Sequence, residues 1–334
     1  MKNILITIFI SIFGITQSDA QKTGMHVINT FHIASSGGWD YIEMGPVNDW
    51  LYLSHGTQVN VLNRKTGDSV AVIENTMGVH GIAFDVSTHK GFTSNGRSNS
   101  VTVFDMNTNK IITQIPAGQS PDYIFYETFS RKIITCNGRG HNLSIIDPEQ
   151  NKMTDSVDVG GKPETAVSDG NGRIFVNLED KNEIVVLEAR TFKIMNHWKL
   201  TPGEGPTGLD FDRFTKRLFA SCDKMLIVVN TTNGKIVDSI KIGDGCDGVV
   251  FDQGTKNIFT SNGEGTITVI HEDNPNKFTL VENIETKKAA RTIALDRGTH
   301  LLYLPTADFE AADPKVKGRP KMKPGTFQVL VVGK

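Results

Sequence analysis

Short runs of alternating apolar and polar residues predict four consecutive β-strands between residues 78 and 118. β-Branched and aromatic residues alternate there with small or polar ones, and clusters of Asn, Gly, Asp or Ser separate the runs. The predicted strands cover residues 81–84, 91–94, 100–104 and 110–115. Turn residues interrupt the whole chain every few positions, so no helix of useful length is predicted.

The same pattern recurs along the chain. Residues 245–270, GCDGVVFDQGTKNIFTSNGEGTITVI, repeat the first three of these strands almost residue for residue. Aligning the turn before each first strand gives seven copies, and the residues in register are Asp40, His80, Asp122, Glu164, Thr207, Asp247 and Arg291. Their spacings, by subtraction, are 40, 42, 42, 43, 40 and 44 residues. A period of about 40 to 45 residues is typical of a propeller blade, so we predict an all-β, seven-bladed β-propeller with four-stranded blades.

The two ends of the chain are predicted to share the seventh blade. The chain ends on the third strand of that blade, residues 328–332. Residues 26–34, HVINTFHIA, resemble the fourth strand of the second copy, KIITQIPAG. We therefore expect the N-terminal strand to pair beside the C-terminal strand and close the ring, which removes an exposed sheet edge.

The first twenty residues differ from the repeats. Lys2 precedes an apolar run, residues 4–15, and residues 18–20 resemble a small-x-small cleavage site, which together predict a signal peptide over residues 1–20. Residues 21–334 are then one propeller domain, periplasmic or secreted, a monomer with no membrane span after signal removal. Lys+Arg 35 against Asp+Glu 37 gives no overall charge that would favour nucleic acid.

The blade signatures carry a family resemblance. FTSNGRSNSVTVFD, NGRGHNLSIIDP and FTSNGEGTITVIHED resemble the YVTN-repeat, or YncE-like, seven-bladed propellers of exported bacterial proteins. The resemblance covers essentially the whole mature chain. It implies the fold and export, but little about activity, because a fold does not determine a function.

In a propeller of this connectivity the seven aligned residues lie in one ring around the central channel. Four carboxylates there would repel one another unless a cation, a shared proton or Arg291 compensates them. The metal candidates are Asp40, Asp122, Glu164, Asp247 and His80. Oxygen ligands suit Ca²⁺, Mg²⁺ or Mn²⁺, and a histidine favours a transition metal such as Zn²⁺. The alternative is that the carboxylates accept hydrogen bonds from backbone N–H groups in their turns, around a water-filled channel.

The metal hypothesis has a second resemblance behind it. The ring is similar to the channel metal site of the gluconolactonase-like propellers, in which acidic and Asn side chains from different blades hold a cation. Asp247, in the sequence GCDG, is the position that matches best.

The same face also carries basic and amide side chains. The candidates for binding an anionic ligand are Arg97, Arg139, Arg291, Asn95, Asn137 and Asn262, and the alternative is that the basic ones are solvated. Residues 307–325 form a long basic connection in the seventh blade that could act as a lid. Of the three cysteines, Cys222 and Cys246 could pair, while Cys136 is expected to be a buried apolar residue.

Two functional hypotheses follow. The first is a binding protein whose channel face holds a small ligand or a protein partner, since no G-x-S-x-G, H-E-x-x-H or C-x-x-C-H motif is present. The second is a lactonase-like, metal-dependent hydrolase or lyase, with His80 or His55 as the catalytic candidate that moves a proton.

Overall fold

The computed structural model describes residues 22–311 and 321–334. Within them, 28 strands form seven four-stranded antiparallel sheets, which are the blades of a seven-bladed propeller. The described residues contain a single 3₁₀ turn, Glu179–Lys181, and no helix long and apolar enough to cross a bilayer. The predicted signal peptide lies outside the described residues.

The strands follow the chain from blade to blade. Blades one to three comprise β2 (Trp39–Met44), β3 (Trp50–His55), β4 (Gln58–Asn63), β5 (Ser69–Ile73), β6 (Val79–Asp85), β7 (Lys90–Asn95), β8 (Ser100–Asp105), β9 (Ile111–Pro116), β10 (Pro121–Glu127), β11 (Lys132–Asn137), β12 (Asn142–Asp147) and β13 (Lys152–Asp158). Blades four to six comprise β14 (Pro163–Ser168), β15 (Arg173–Leu178), β16 (Glu183–Glu188), β17 (Ile194–Lys199), β18 (Leu209–Asp212), β19 (Arg217–Cys222), β20 (Met225–Asn230), β21 (Lys235–Lys241), β22 (Cys246–Asp252), β23 (Asn257–Asn262), β24 (Thr266–Asn274) and β25 (Lys277–Glu285). Blade seven comprises β26 (Ala294–Asp296), β27 (Leu301–Thr306), β28 (Gln328–Gly333) and β1 (His26–His32).

The ring closes as the sequence predicts. The sheet order in blade seven is β1-β28-β27-β26, and β1 runs antiparallel to β28, with His26 opposite Gly333 and His32 opposite Gln328. The prediction of N-terminal strand closure is therefore confirmed. The four strands predicted for the second copy are also confirmed, with ends that differ by one or two residues.

The hydrophobic core lies between the blades rather than within one layer. One cluster, for example, joins Phe92, Val101 and Val103 of blade two to Ile124 and Ile133 of blade three. Second and third strands such as β7 and β8 are buried on both faces, while the outer strand β17 is largely exposed. Each blade thus buries its faces only by stacking on its neighbours, which is why the sequence must repeat.

Two sets of connections meet on one face of the propeller, called here the ring face. The turn before each first strand bonds to the connection between the second and third strands of the same blade. Gly96 N–H donates to Gly78 O over 2.8 Å in blade two, and Gly263 N–H donates to Gly245 O over 2.9 Å in blade six. These bonds bring the aligned ring positions and the connections to one end of the channel.

Candidate functional site

A β-bulge in the innermost strand places most of the ring residues. In blade one Trp39 pairs with His55 and Ile42 with Leu53, so that Asp40 and Tyr41 together lie opposite one residue. Equivalent irregularities occur in blades two, three, four and six. A bulge re-aims the side chain of the extra residue, so in these five blades the bulge presents one ring residue to the channel.

Hydroxyl groups tie the bulges of neighbouring blades together. Thr292 Oγ1 donates to the carbonyl of Asp40 over 2.6 Å, and Ser261 Oγ donates to the carbonyl of Arg291 over 2.6 Å. Thr207 Oγ1 donates to the carbonyl of Cys246 over 2.9 Å. Further bonds of this kind run from Ser94 to Asp122 O and from Thr165 to Thr207 O. Thr207 therefore has a structural role in the ring. These hydrogen bonds fix the backbone positions of the ring residues in the neighbouring blades.

Three predicted metal candidates converge on one point. Asp40 Oδ2 lies 2.6 Å from His80 Nδ1, and Asp122 Oδ1 lies 3.6 Å from the same nitrogen. One ligand atom from each of the three residues lies within 4.8 Å of the other two. This triad, defined as Asp40, His80 and Asp122, offers two carboxylate oxygens and one imidazole nitrogen from blades one, two and three.

The triad is partly enclosed, which changes its acid–base behaviour. Burial raises the pKa of Asp122 to about 6, and the charge of His80 opposes that rise. Burial by itself would lower the pKa of His80, but the hydrogen bond with Asp40 and the negative charge of Asp122 outweigh it, so the pKa of His80 lies above its usual value. Asp122 Oδ1 is buried and has no hydrogen-bond partner among the described residues. A buried acceptor left unpaired costs free energy, so a cation at this atom would relieve that cost.

The other two predicted metal candidates have cationic neighbours of their own. Arg291 Nη1 lies 3.2 Å from Asp40 Oδ1 and also contacts Asp247 directly. Burial raises the pKa of Asp247, although the adjacent Arg291 opposes the rise. Lys162 Nζ lies 3.3 Å from Glu164 Oε2 and also pairs with Glu179.

The pKa of Glu164 is raised further than that of Asp122. Burial, followed by the charge of Asp122, raises the pKa of Glu164 to about 8, so that its carboxyl group is mostly neutral at pH 7. A protonated glutamate and a bridging arginine thus offset the repulsion expected from four carboxylates.

Tyr41 belongs to the same site, although it was not among the predicted residues. Burial, and then the charges of Asp122 and Glu164, raise the pKa of the Tyr41 hydroxyl well above its usual value, so it remains a donor. Its ring meets that of Tyr123 edge to face, with centroids 5.4 Å apart. The D-Y dipeptide shared by the first and third copies, Asp40-Tyr41 and Asp122-Tyr123, is the signal that could have revealed it.

The asparagines predicted to bind a ligand are instead used inside their own blades. In blade two Asn95 accepts from Thr93 Oγ1 over 2.9 Å and donates to Ser100 and Thr102. Asn137 and Asn262 repeat the arrangement with their own neighbours. All three side chains are fully buried. Their polar atoms are satisfied by the blade, so we leave them out of the proposed ligand site.

In blade one, His55 occupies the position that Asn95 has in blade two. Its ring is fully buried and lies against Phe327, with centroids 3.9 Å apart. Nε2 bonds to Gly37 O over 2.9 Å, and Nδ1 lies 2.7 Å from Ser35 Oγ. Both ring nitrogens are engaged, so of the two catalytic candidates only His80, which is one-third exposed, faces solvent.

Arg97 and Arg139 lie in a groove beside the triad. This groove has a volume of about 540 Å³ and is lined by His80, Gly96, Arg97, Ser120 and Arg139, together with Asn99 and Gln119. Both arginines are exposed, and neither forms a salt bridge within the described residues. Gly78, at φ +66°, makes room for one of them, because a Cβ there would lie 2.5 Å from Arg97 Cγ. The groove therefore joins two guanidinium groups to the histidine of the triad.

The ends of the predicted lid pair with each other at the ring face. Among residues 307–311 and 321–325, Phe309 forms an isolated bridge with Met322, and Lys323 N–H donates to Asp308 O over 2.8 Å. The ring of Phe309 lies 6.1 Å from that of Trp39, which directly precedes Asp40. The middle of the lid, residues 312–320, lies outside the described residues, so closure over the ring stays a prediction.

The three cysteines are buried free thiols in this structure. Burial raises the pKa of both Cys222 and Cys246 to about 12, so both remain protonated at neutral pH. Cys136 is packed in the core between blades three and four, as expected for a small apolar residue. None of the three is placed to act as a nucleophile.

Comparison with known proteins identifies the fold and no more. No known family model matches the chain, and no curated protein sequence matches it. Among solved structures, the chain is similar to one from Kuenenia stuttgartiensis hydrazine synthase, with a TM-score of 0.72 and 13% sequence identity. That similarity covers 82% of this chain and 94% of the other. At this level of identity the likeness shows the seven-bladed propeller alone, and membership of the YVTN-repeat family stays a prediction.

Proposed function

We propose that this protein is an exported binding protein that holds a divalent cation at the triad and a small anion in the adjoining groove. The observation that carries the proposal is the convergence of Asp40, His80 and Asp122, with one buried acceptor of Asp122 unpartnered. Two carboxylates and one imidazole suit Mn²⁺ or Zn²⁺ better than Ca²⁺ or Mg²⁺, which prefer all-oxygen sites.

The anion part of the proposal depends on the groove. Arg97 and Arg139 line it together with His80, so a carboxylate or phosphate group could contact a guanidinium and the bound cation at once. A free anion would meet a positive surface there, because neither arginine is neutralised by an acidic residue among those described.

Metal binding is tested by calorimetry on the chelator-treated mature protein. Zn²⁺ or Mn²⁺ should bind at one site per chain and release a proton, since His80 must lose its proton to become a ligand. Titrations in buffers of different ionisation enthalpy measure that release. Asp122→Asn should weaken binding at least tenfold, as second carboxylates contribute strongly to such sites. Asp155→Asn, on the exposed strand β13, is the matched control and should bind as the native protein does. Equal affinity in both variants would refute the metal site.

Anion binding is tested with inorganic phosphate, with and without the metal. We expect Arg97→Gln and Arg139→Gln each to weaken phosphate binding several-fold, and Arg190→Gln, an exposed arginine stacked on Phe129, to leave it unchanged. Phosphate binding that is insensitive to both groove variants would contradict this part of the proposal without affecting the metal site.

A hydrolase is the second candidate, and one observation favours it. In this candidate Asp40 and Asp122, and not His80, would hold the cation. Asp40 holds Nδ1 of His80, while Nε2 lies close to Gly96 in the groove, where it is placed to take a proton from water. The water oxygen would add to a carbonyl carbon polarised by the cation, and the proton would pass to the leaving alkoxide as the C–O bond breaks. The metal-loaded protein should then hydrolyse lactones, and His80→Asn should abolish turnover. If the protein binds metal and phosphate but hydrolyses no lactone, the hydrolase candidate is refuted and the binding function is retained.

A further inference from the structure

The channel contains a second cavity that opens on the face opposite the ring face. Its volume is about 560 Å³, which is in the range of small-molecule sites. Pro46 and Gly298 lie on its wall, and both belong to turns that join the first and second strands of their blades. Those turns lie at the end of the channel away from the triad, so the cavity has an entrance of its own.

About half of the wall of this cavity is apolar or aromatic. Leu209, Val249 and Ile293 contribute aliphatic surface, and Tyr41 and Tyr123 contribute the edge-to-face ring pair described above. Such a surface favours the apolar body of a ligand through burial, and aromatic rings also attract cations.

A smaller aromatic pocket continues the cavity toward blade five. It measures about 480 Å³ and shares Tyr123, Val167, Asp210 and Arg297 with the cavity. Phe214, which is 81% exposed, lies on its rim. An exposed phenylalanine beside a cavity is typical of a ligand entrance.

The charges at this end leave one carboxylate unbalanced. Arg64 Nε lies 3.6 Å from Asp296, and Arg297 Nη2 lies 3.9 Å from Asp210. Glu43 also lines the cavity, and no salt bridge to it occurs within the described part of the chain. A tyrosine-lined cavity that is half apolar, and in which one carboxylate has no salt bridge among the described residues, is complementary to a monovalent organic cation.

We propose that this cavity binds a small amphipathic amine, a molecule with one ammonium group on an apolar or aromatic body. The ammonium lies near Glu43, with Asp210 as a second acceptor, and the body fills the space beside Tyr41 and Tyr123. This site shares Tyr41 and Asp247 with the ring, but it opens on the opposite face and takes a different ligand from the cation and anion sites.

Three probes of equal size and different charge test the proposal by calorimetry at pH 8. They are 2-phenylethylamine, 2-phenylethanol and phenylacetate. The amine should bind, the alcohol should bind about tenfold more weakly, and phenylacetate should not bind. Glu43→Gln should reduce amine affinity about tenfold, to the level of the alcohol, while the exposed Glu149→Gln on blade three should not. Equal affinity for amine and phenylacetate, or unchanged affinity in Glu43→Gln, would overturn the proposal.

Two further variants locate the site. Val167→Trp places a large side chain on a wall shared by both pockets and should abolish amine binding, whereas Val70→Trp on the exposed strand β5 should not. Arg97→Gln should leave amine binding unchanged, because Arg97 lines the groove of the ring face and not this cavity. If Val167→Trp fails to fold, the exposed Glu43→Gln still decides the question. Loss of amine binding in Arg97→Gln would assign it to the ring face and refute the second site.

Discussion

Replacing Glu272 with methionine is expected to stabilise the propeller, by an amount that grows as the pH rises. Glu272 lies in β24 with no exposed surface, and neither carboxylate oxygen has a hydrogen-bond partner in the described structure. The matching positions of other blades hold Met106, Ala189 and Thr231, all buried. Blade six thus carries a buried acid where blades two, four and five carry apolar or small residues.

The size of this stabilisation follows from the change in the pKa of the Glu272 carboxyl group on folding. Burial, with an added contribution from the neighbouring Asp212, raises the pKa of Glu272 from 4.5 to about 7. Between those values the folded protein holds a proton that the unfolded chain has released, so stability falls as the pH rises through this window. The full loss is about 3 kcal/mol above pH 7. Solvent screening reduces this loss of free energy only slightly, because the Glu272 side chain is fully buried.

Urea unfolding at a series of pH values from 4.5 to 8 measures this directly. The free energy of unfolding of Glu272→Met minus that of the native protein should rise by about 3 kcal/mol across the series. Asp122 and Glu164 titrate in both proteins, so the difference isolates Glu272. Glu272→Gln is the matched control for shape, and it should also lose the pH dependence while leaving a buried amide unpaired. Parallel curves for native protein and Glu272→Met would refute the reasoning.

Three further predictions concern the ring and its closure. Deleting residues 26–34 should lower the melting temperature of the whole domain sharply, because β28 loses its partner; a truncated protein that melts like the mature protein would contradict strand closure. Arg291→Met should lower the free energy of unfolding, measured in urea at pH 7, by about 3 kcal/mol, because Asp40 and Asp247 are left beside each other in a partly buried site. A change below about 0.5 kcal/mol would show that the ion pairs of Arg291 with Asp40 and Asp247 are solvated. Zn²⁺ affinity should fall about a hundredfold per pH unit below pH 6, because His80 is already protonated there and Asp122, with its pKa raised to about 6, takes up a second proton; a fall of only about tenfold per unit between pH 4.5 and 6 would remove Asp122 from the ligand set.

The fold could be predicted from the sequence because each blade of a propeller has the same recognisable pattern of strands and turns. Each blade must bury both faces against its neighbours, so its strands carry the same apolar pattern at a fixed interval. The missing strand at the C-terminus and the matching segment at residues 26–34 were enough to predict the closure, since an unpaired edge is unfavourable.

The ring positions were also predictable, but their partners were not. Spacing placed Asp40, His80 and Arg291 in one circle, yet it could not show that Arg291 bridges Asp40 and Asp247. Likewise, a sequence pattern does not show whether Asn95 points into the channel or back into its blade. That direction depends on the bulge and on the pairing of each strand, which move a side chain by several ångströms.

The sequence by itself therefore determined the architecture, the closure and the circle of candidate residues. Only the tertiary structure decided which of them form the triad, that burial raises the pKa of Asp122 and Glu164, and that Glu43 faces a second cavity. The physical reason is distance. Burial patterns repeat along the chain, whereas charge pairing and desolvation depend on separations of a few ångströms between residues far apart in sequence, such as Asp40 and Arg291, which are 251 positions apart.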